Sequence, residues 1–164
     1  MSRLETRLSG WNQAGSRAQS MGLLRMKKIK KHMKFSILVN DDNINSFQVF
    51  KKFQYNSKLQ VHYGQSFTNS LDVFRDFLEN GFNYDAIFID LKGKTMNGYE
   101  LMKNIRGIEK LTNSISSKII GILGNKEDDW NTIEEKGIDQ FIYRPIDENL
   151  IMNIINNINT KVIF

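Results

Sequence analysis

Short apolar runs alternate with stretches of helical periodicity from residue 34 to the end of the chain. The apolar runs predict five β-strands, at residues 35–39, 59–63, 86–89, 118–123 and 140–143. The periodic stretches predict five helices. Three are marked by their apolar spacing, at Ile44 to Phe53, Tyr99 to Ile108 and Asn149 to Ile158. The second helix has a possible cap at Thr68 or Asn69 and a stop at Asn80-Gly81, and the fourth contains Trp130 and Ile133 and stops at Gly137.

Strands and helices that alternate in this way predict an α/β domain with a doubly wound parallel sheet. Parallel strands need crossover connections, and these place helices on both faces of the sheet. No internal repeat or low-complexity linker interrupts the pattern after residue 34. We therefore predict one five-stranded domain over residues 34–160, and we expect no second domain to carry an output.

The stretch at residues 84–100, YDAIFIDLKGKTMNGYE, contains the most informative acid of the chain. Its apolar run predicts a buried strand that delivers Asp90 to its carboxyl end, followed by a polar loop and a helix. Open α/β sheets bind ligands just outside the carboxyl ends of their strands. Asp90 is therefore the candidate reactive group.

Further polar residues are predicted at the same edge of the sheet. Asp41 and Asp42 follow the first strand, and Arg144-Pro145 follows the fifth. Three carboxylates in a small space repel each other unless they share a cation, and Mg²⁺ suits hard oxygen ligands with phosphate as a partner. A carboxylate beside Mg²⁺ and the fixed charge of Arg144 is suited to accept a phosphoryl group.

Composition excludes several classes of site. The chain has no cysteine, which excludes disulfides and thiolate ligands, and its two histidines leave little for a histidine-based centre. No apolar run is long enough to cross a bilayer, and no signal peptide is recognisable. We expect a cytoplasmic protein with no membrane partner.

The net charge of +5 is unevenly distributed. Residues 1–34 contain nine Lys or Arg and one acid, and residues 35–164 contain fourteen Lys or Arg and seventeen acids, which gives +8 and −3. We interpret residues 1–33 as a basic, disordered leader outside the domain, either an added segment or an over-extended start with Met26 or Met33 as the native beginning. A transit peptide is the alternative. Without interleaved aromatic residues in this arm, we expect no direct binding of nucleic acid.

The motifs at the predicted site resemble those of response regulator receiver domains, the phospho-acceptor modules of two-component signalling. The matching pieces are ILVNDDN at 37–43, AIFIDLKGKTMNGYE at 86–100 and GIDQFIYRPI at 137–146, and the resemblance covers residues 35–159. It implies a flavodoxin-like fold with strand order 2-1-3-4-5. It also implies that the protein is not an enzyme beyond catalysing its own phosphotransfer and dephosphorylation.

The resemblance assigns roles to the acidic residues of the site. Asp90 would accept a phosphoryl group from a histidine kinase or phosphotransfer protein. Asp42 would bind Mg²⁺ directly, and Asp41 would act mainly through bound water. The backbone carbonyl of Lys92 would supply another ligand to the metal.

The resemblance also identifies a switch and three departures from the family pattern. Phe141 stands at the aromatic switch that turns inward on activation, and the bond before Pro145 would be cis. Arg144 replaces a lysine that contacts the phosphoryl group, and Leu123 replaces a Ser or Thr that would bond a phosphoryl oxygen. Gly93-Lys94 replaces the usual Met-Pro after the acceptor, which should make that loop more mobile.

Three hypotheses of function follow. The first is a stand-alone response regulator that takes phosphate on Asp90 and signals to a downstream target through a face made of the fourth predicted helix, the fifth strand and the final helix. The second is a degenerate receiver that binds proteins independently of phosphorylation, because the hydroxyl residue is missing. The third, an enzyme using a flavin or hydrolysing a phosphate ester, would need a phosphate-cradling loop after the first strand, where acids stand instead.

Several polar residues also have an ordinary structural interpretation. Asp42 and Asn43 can cap the first predicted helix. Asp85 and Asp139 are interpreted as solvated acids at strand edges, and His62 as a structural residue rather than a ligand. The phenylalanines at helical spacing are assigned to the core.

Overall fold

The computed structural model describes residues 34–56, 58–93, 97–124 and 137–160. The strands are β1 (Phe35–Asn40), β2 (Leu59–Tyr63), β3 (Ala86–Asp90), β4 (Lys118–Leu123) and β5 (Gln140–Tyr143). The helices in the described ranges are α1 (Ile44–Lys52), α2 (Phe67–Glu79), α3 (Gly98–Thr112) and α4 (Glu148–Thr160), and α1 continues into a 3₁₀ turn at Phe53–Tyr55. The predicted leader at 1–33 and the predicted helix around Trp130 and Ile133 lie outside the described residues.

The strands form one parallel sheet in the order β2-β1-β3-β4-β5. This confirms the predicted fold class and strand order. In this order β1 and β3 are neighbours, as are β3 and β4, and the register pairs Asn40 with Ile89 and Asp90 with Ile122. The carboxyl ends of β1, β3 and β4 therefore meet at one edge of the sheet.

Apolar residues cover both faces of the sheet, as the nearly continuous apolar strands predict. On one face, Phe50 of α1 and Ile151 of α4 belong to a buried cluster that includes Phe88 of β3. On the other face, α2 and α3 contribute buried residues such as Phe74 and Ile105. Each fully buried side chain of this size stabilises the fold by about 1.5–3 kcal/mol. The two clusters hold the central strands rigidly, and the polar residues at the strand ends are fixed with them.

The buried face of α1 includes Phe50, as predicted, but not the first residue of the helical pattern. Ile44, which begins that pattern, is 64% exposed. The residues of α1 that the structure buries are Ser46 and Phe50, followed by Phe53 in the 3₁₀ turn. Spacings of four and three residues put these side chains on one helical face. A serine therefore occupies a position that faces the sheet.

The predicted cap of α2 is also wrong. Neither Thr68 nor Asn69 is the N-cap, because α2 begins at Phe67 and Ser66 caps it by accepting a hydrogen bond from the amide of Asn69 at 3.1 Å. The side chain of Asn69 accepts a hydrogen bond at 2.9 Å from the amide of Gln65, the residue before the cap, so the first turn of α2 is bonded to both Gln65 and Ser66. Within the described ranges, no helix is both long and apolar enough to cross a bilayer.

Candidate functional site

Three acids come together at the carboxyl edge of the sheet. Asp90 is the last residue of β3, and Asp41 and Asp42 directly follow β1. Each offers a carboxylate oxygen, and these oxygens all lie within 4.8 Å of one another. The side chain of Asp41 is fully buried and that of Asp90 is 12% exposed, whereas Asp42 is exposed to solvent. The structure thus brings together the acids that the sequence placed at one edge.

Arg144 reaches into this cluster from the end of β5. Its Nη2 donates a hydrogen bond to Asp41 Oδ1 and another to Asp90 Oδ2, each 2.8 Å long. Its Nη1 donates to the hydroxyl of Ser46 on α1. Its amide donates to the carbonyl of Leu123 at 3.0 Å, which extends the pairing of β4 and β5, and the bond to Pro145 is cis, as predicted. Arg144 therefore joins three elements of the fold at the acid cluster.

Burial and charge act together on the groups of the site. Burial raises the pKa of the Asp90 carboxyl above its ordinary value, and the nearby charge of Asp41 acts in the same direction. The amide of Lys92 and the guanidinium of Arg144 oppose this rise. For Arg144, burial would lower the pKa, but pairing with Asp41 and Asp90 raises it above its ordinary value. The guanidinium stays charged, and the carboxylates lie in a region with more negative than positive charge.

Backbone amides fix the orientation of both buried carboxylates. Asp90 Oδ1 accepts a bond from the amide of Lys92 at 3.0 Å, and Asp41 Oδ1 accepts one from the amide of Asn43 at 2.9 Å. Asn43 is the N-cap of α1, since its side chain accepts bonds from two amides of the first turn. The capping interpretation is therefore confirmed for Asn43 and wrong for Asp42, which does not cap the helix. The side chain of Lys92 is exposed, and the metal-binding role of its carbonyl stays a prediction.

One oxygen of the cluster has no hydrogen-bond partner. Asp41 Oδ2 is buried, and within the described residues it accepts no hydrogen bond. A buried carboxylate oxygen without a donor is costly, because the charged group has lost its hydration. An oxygen-rich cluster with an unsatisfied buried oxygen fits a hard divalent cation such as Mg²⁺, which would also reduce the repulsion among the acids.

Gly98 permits a close approach that the sequence analysis did not identify. A Cβ atom on Gly98 would lie 2.2 Å from the carbonyl oxygen of Asp90 and 2.7 Å from the Cα of Leu91. The first residue of α3 therefore packs directly on the backbone at the end of β3. The signal in the sequence is a glycine at the junction of a polar loop and a helix, where a glycine otherwise costs helix stability.

The predicted switch residues lie on the face of the sheet that α2 and α3 cover. Leu123, at the end of β4, is fully buried in that cluster, and Phe141 packs against the same cluster with its side chain partly exposed. Gly121 is the register partner of Phe141, and a Cβ there would lie 3.2 Å from the Phe141 ring and 2.6 Å from Cδ1 of Leu91. The roles of Leu123 and Phe141 in switching remain predictions.

His62 has the structural role that was expected. Its Nδ1 and the hydroxyl of Tyr84 are joined by a hydrogen bond, and its ring packs edge-on against Phe77 with the centroids 5.1 Å apart. Burial lowers the pKa of His62 below its ordinary value. His62 therefore packs in a cluster with Phe77 and Tyr84 and forms a hydrogen bond within it.

Asp85 and Asp139 lie at strand edges, as predicted, and Asp139 is exposed whereas Asp85 is partly buried, but both also accept hydrogen bonds from the fold. Asp85 Oδ2 accepts a hydrogen bond from the amide of Ser36 at 2.8 Å. Asp139 lies at the amino end of the sheet and accepts bonds from Arg106, from Lys118 and from the amide of Ile119, at 2.7 to 2.9 Å. Both acids accept hydrogen bonds from backbone amides at strand ends. The alternation of apolar and polar residues in the sequence does not reveal such bonds.

Arg106 is the centre of a network that we call the amino-end network. Its members are Arg106, Glu109, Ser117, Lys118 and Asp139. Arg106 donates to Glu109, to Asp139 and to the carbonyls of Ser117 and Gly137. Glu109 is almost fully buried and also accepts the amide of Ser117 at 2.7 Å. The network ties the end of α3 to the beginnings of β4 and β5.

A parallel sheet in the order 2-1-3-4-5 with acids at its carboxyl edge has the architecture of a response regulator receiver domain, and comparison with known proteins supports this. No protein-family model matches the sequence. The chain is 31% identical over 121 residues to the hybrid signal transduction histidine kinase L of Dictyostelium discoideum. That match covers 73% of this chain and only 7% of the length of the kinase.

Solved receiver domains are similar over more than three quarters of the chain. The CheY-like response regulator receiver domain of Methylobacillus flagellatus is 25% identical, with a TM-score of 0.58, and the match covers 77% of this chain and 98% of that one. A response regulator receiver domain protein of Clostridium thermocellum is also 25% identical, with a TM-score of 0.56 and coverage of 79% and 98%. These findings confirm the resemblance to receiver domains, and the fold suggests a two-component response regulator.

Proposed function

We propose that this protein acts as a two-component response regulator that accepts a phosphoryl group on Asp90 and signals through a partner protein. The observation that carries the proposal is the grouping of three acids at one site. One carboxylate oxygen each of Asp41, Asp42 and Asp90 lies within 4.8 Å of the others, and Asp41 Oδ2 is buried without a hydrogen-bond donor. A purely structural cluster would provide a donor for each buried carboxylate oxygen, because a buried oxygen without one destabilises a fold. Keeping three acids together is physically reasonable if a divalent cation and a phosphoryl group are the intended occupants.

The phosphotransfer itself requires little from the protein beyond positioning and charge. A carboxylate oxygen of Asp90 would attack the phosphorus of a phosphohistidine, so that an O–P bond forms as the N–P bond breaks and the imidazole takes its electron pair. Asp41 and Asp42 would hold Mg²⁺, which when bound supplies positive charge to the transferring oxygens. Arg144 adds a fixed cation beside Asp90. Attack by water on the phosphorus would later release inorganic phosphate and restore the carboxylate.

The donor and the target of the signal follow from this chemistry. The donor would be a histidine kinase or a phosphotransfer protein, and a downstream protein would supply the effect. We place these partners in the cytoplasm, with no membrane component and no direct contact with nucleic acid. The proposed output surface includes β5, with Phe141, and α4.

A second function is favoured by a specific observation. Leu123 is fully buried where a hydroxyl residue would contact the phosphoryl group, and Arg144 already bonds both buried carboxylates. A receiver in which the site is not connected to the switch would act as a phosphorylation-independent interaction module. The two functions differ in whether occupancy of Asp90 changes the environment of Phe141.

Phosphorylation can be measured by intact-protein mass spectrometry after incubation with acetyl phosphate and Mg²⁺. We expect one added phosphoryl group, which does not form when EDTA is present from the start of the incubation and is absent from Asp90→Asn. Asp72→Asn is a matched control, because Asp72 is an exposed acid on α2 and should leave the adduct unchanged. Since a short-lived acyl phosphate could escape detection, Mg²⁺-dependent binding of beryllofluoride is measured in parallel. Absence of both would reject Asp90 as a phospho-acceptor.

The connection to the switch is tested by amide NMR with and without beryllofluoride. A regulator should show shifts for Phe141 and Tyr143 as well as for Asp90 and Lys92. Shifts confined to the immediate surroundings of Asp90 would support the interaction module instead.

A further inference from the structure

Ser46 is a buried hydroxyl whose position has no explanation in the core. It lies in the first turn of α1 on the face that packs on the sheet, and only 3% of its surface is exposed. Its amide donates to the side chain of Asn43, which accounts for its backbone. Its hydroxyl accepts a hydrogen bond from Arg144 Nη1, 98 residues away in sequence. The side chain of Ser46 is therefore directed at the guanidinium of the site.

The geometry of a guanidinium makes this contact important. The group is planar and rigid, so fixing one of its terminal nitrogens largely determines where the other lies. With Nη1 held by Ser46, Nη2 lies 2.8 Å from both Asp41 Oδ1 and Asp90 Oδ2. A lysine ammonium is a single point of charge, and it could not bond the hydroxyl through one nitrogen and both acids through another.

We propose that Ser46 is a positioning residue that holds Arg144 between Asp41 and Asp90 as an internal counter-ion, which competes with a divalent cation for these two carboxylates. The inference rests on the proposed function in one respect, the assignment of Mg²⁺ to this acid cluster. It adds a built-in competitor for the metal, made from two side chains of this chain.

The burial of Asp41 explains why such a counter-ion is present. A fully buried carboxylate is strongly destabilising without a partner of opposite charge. Arg144 supplies that partner through Oδ1, whereas Oδ2 accepts no hydrogen bond in the described residues. A divalent cation bound to Asp41 and Asp90 would lie close to Nη2, and two positive charges at such a distance repel each other. Metal and guanidinium therefore compete for the same carboxylates.

The test is a titration of the purified protein with Mg²⁺ alone, measured by calorimetry or by competition with Mn²⁺. We expect Ser46→Ala to bind Mg²⁺ about three- to tenfold more tightly, because the guanidinium loses the hydrogen bond that fixes it. Arg144→Lys should change the affinity in the same direction. Ser70→Ala is the matched control, since Ser70 is also a buried helical serine but bonds Asn40 and not Arg144. If folded Ser46→Ala binds Mg²⁺ with equal or weaker affinity, the proposed competition between the metal and Arg144 is wrong.

A second measurement separates this inference from the proposed function. In EDTA, thermal unfolding is compared for Ser46→Ala, Arg144→Lys and the double variant. If Ser46 acts through Arg144, the double variant should lose less in Tm than the sum of the single losses. Additive losses would reject the positioning role whether or not Mg²⁺ binds. If these losses are non-additive but no variant binds Mg²⁺, the metal assignment fails while the positioning role stands.

Discussion

The two ends of the sheet each carry an arginine surrounded by acids, but the surroundings differ in kind. At the amino end, Arg106 and Lys118 face Glu109 and Asp139, and both acids also accept backbone amides. At the carboxyl end, the described residues place three carboxylates around the single guanidinium of Arg144, and one buried oxygen has no donor. The amino end is balanced in the sense that both oxygens of Glu109 and both of Asp139 accept hydrogen bonds, whereas Asp41 Oδ2 accepts none within the described residues.

The difference distinguishes a structural cluster from a site that needs an occupant. The pKa of Asp139 is lowered, because donors from Ile119, Lys118 and Arg106 outweigh the effect of burial. The pKa of Asp90 is raised, because burial and the charge of Asp41 outweigh Lys92 and Arg144. Similar residue types are thus fully bonded at one end and leave a buried oxygen unsatisfied at the other. Acids alone do not identify a binding site, but a buried carboxylate oxygen without a donor marks a candidate for one.

The largest effect should come from removing the centre of the balanced end. Arg106→Ala would leave Glu109, whose side chain is 2% exposed, without its ionic partner. We expect the free energy of unfolding to fall by about 3–5 kcal/mol, as for other buried ion pairs broken on one side. Urea unfolding followed by circular dichroism measures it. Arg75→Ala, in an exposed pair with Asp72 at 3.8 Å, is the control and should cost less than about 0.5 kcal/mol. If Arg106→Ala and Arg75→Ala lower the free energy of unfolding by similar amounts, Arg106 is not the centre of a buried network.

At pH 7, Asp139→Asn should lower the free energy of unfolding, whereas Asp90→Asn should not lower it. The pKa of Asp139 is lowered in the folded state, so its carboxylate stabilises the fold at a pH above its ordinary pKa of 3.8. This stabilisation is lost as the pH falls from 3.8 through the lowered pKa of the folded state. We expect Asp139→Asn to cost about 1–3 kcal/mol at pH 7, and less in acid. For Asp90, whose folded pKa is raised, the contribution to stability is present at low pH and lost as the pH rises above 3.8.

Asp90→Asn should therefore be neutral or stabilising at pH 7 in EDTA, by on the order of 1 kcal/mol, because one of several repelling charges is removed. Urea unfolding from pH 3 to pH 7 tests both variants. If Asp90→Asn destabilises the protein at pH 7 as much as Asp139→Asn does, then the two ends do not differ in the way proposed.

The smallest effect is expected from Lys118→Met at the balanced end. Lys118 Nζ lies 2.9 Å from Asp139 Oδ1, but its side chain is 52% exposed. Exposed pairs contribute about 0.2–1 kcal/mol, and salt screens them. We expect a loss in this range at low ionic strength and almost none in 1 M salt. A loss that is large and independent of salt would show that Lys118 belongs to the buried part of the network.

The sheet was predictable because its strands are short apolar runs that must be buried. β2, β4 and β5 begin and end where the apolar pattern predicts, and Asp90 stands at the carboxyl end of β3. The gathering of the acids followed from strand order, which places chain-distant residues at one edge. Local polar bonding was less predictable, because Ser66 and Asn69 compete for the same helix end and only geometry decides between them.

The contacts of Ser46 and Asp139 were missed for a related reason. Each bonds an arginine far away in sequence, and single-sequence periodicity contains no information on such pairs. For Ser46, however, a signal existed: it lies four residues before Phe50 and seven before Phe53, on the buried face of α1. A polar residue at a buried position of a helix next to a candidate site indicates a specific polar contact.

The contact at Gly98 has a consequence for how sequence variation in this protein should be interpreted. The carbonyl of Asp90 would lie 2.2 Å from any Cβ at that position, so even alanine would force the helix away from the end of β3. Selection on this position therefore acts on a distance between two backbones and not on a side chain. A glycine retained here across variants would report the spacing of α3 from Asp90, and its loss would mark chains in which that spacing is no longer required.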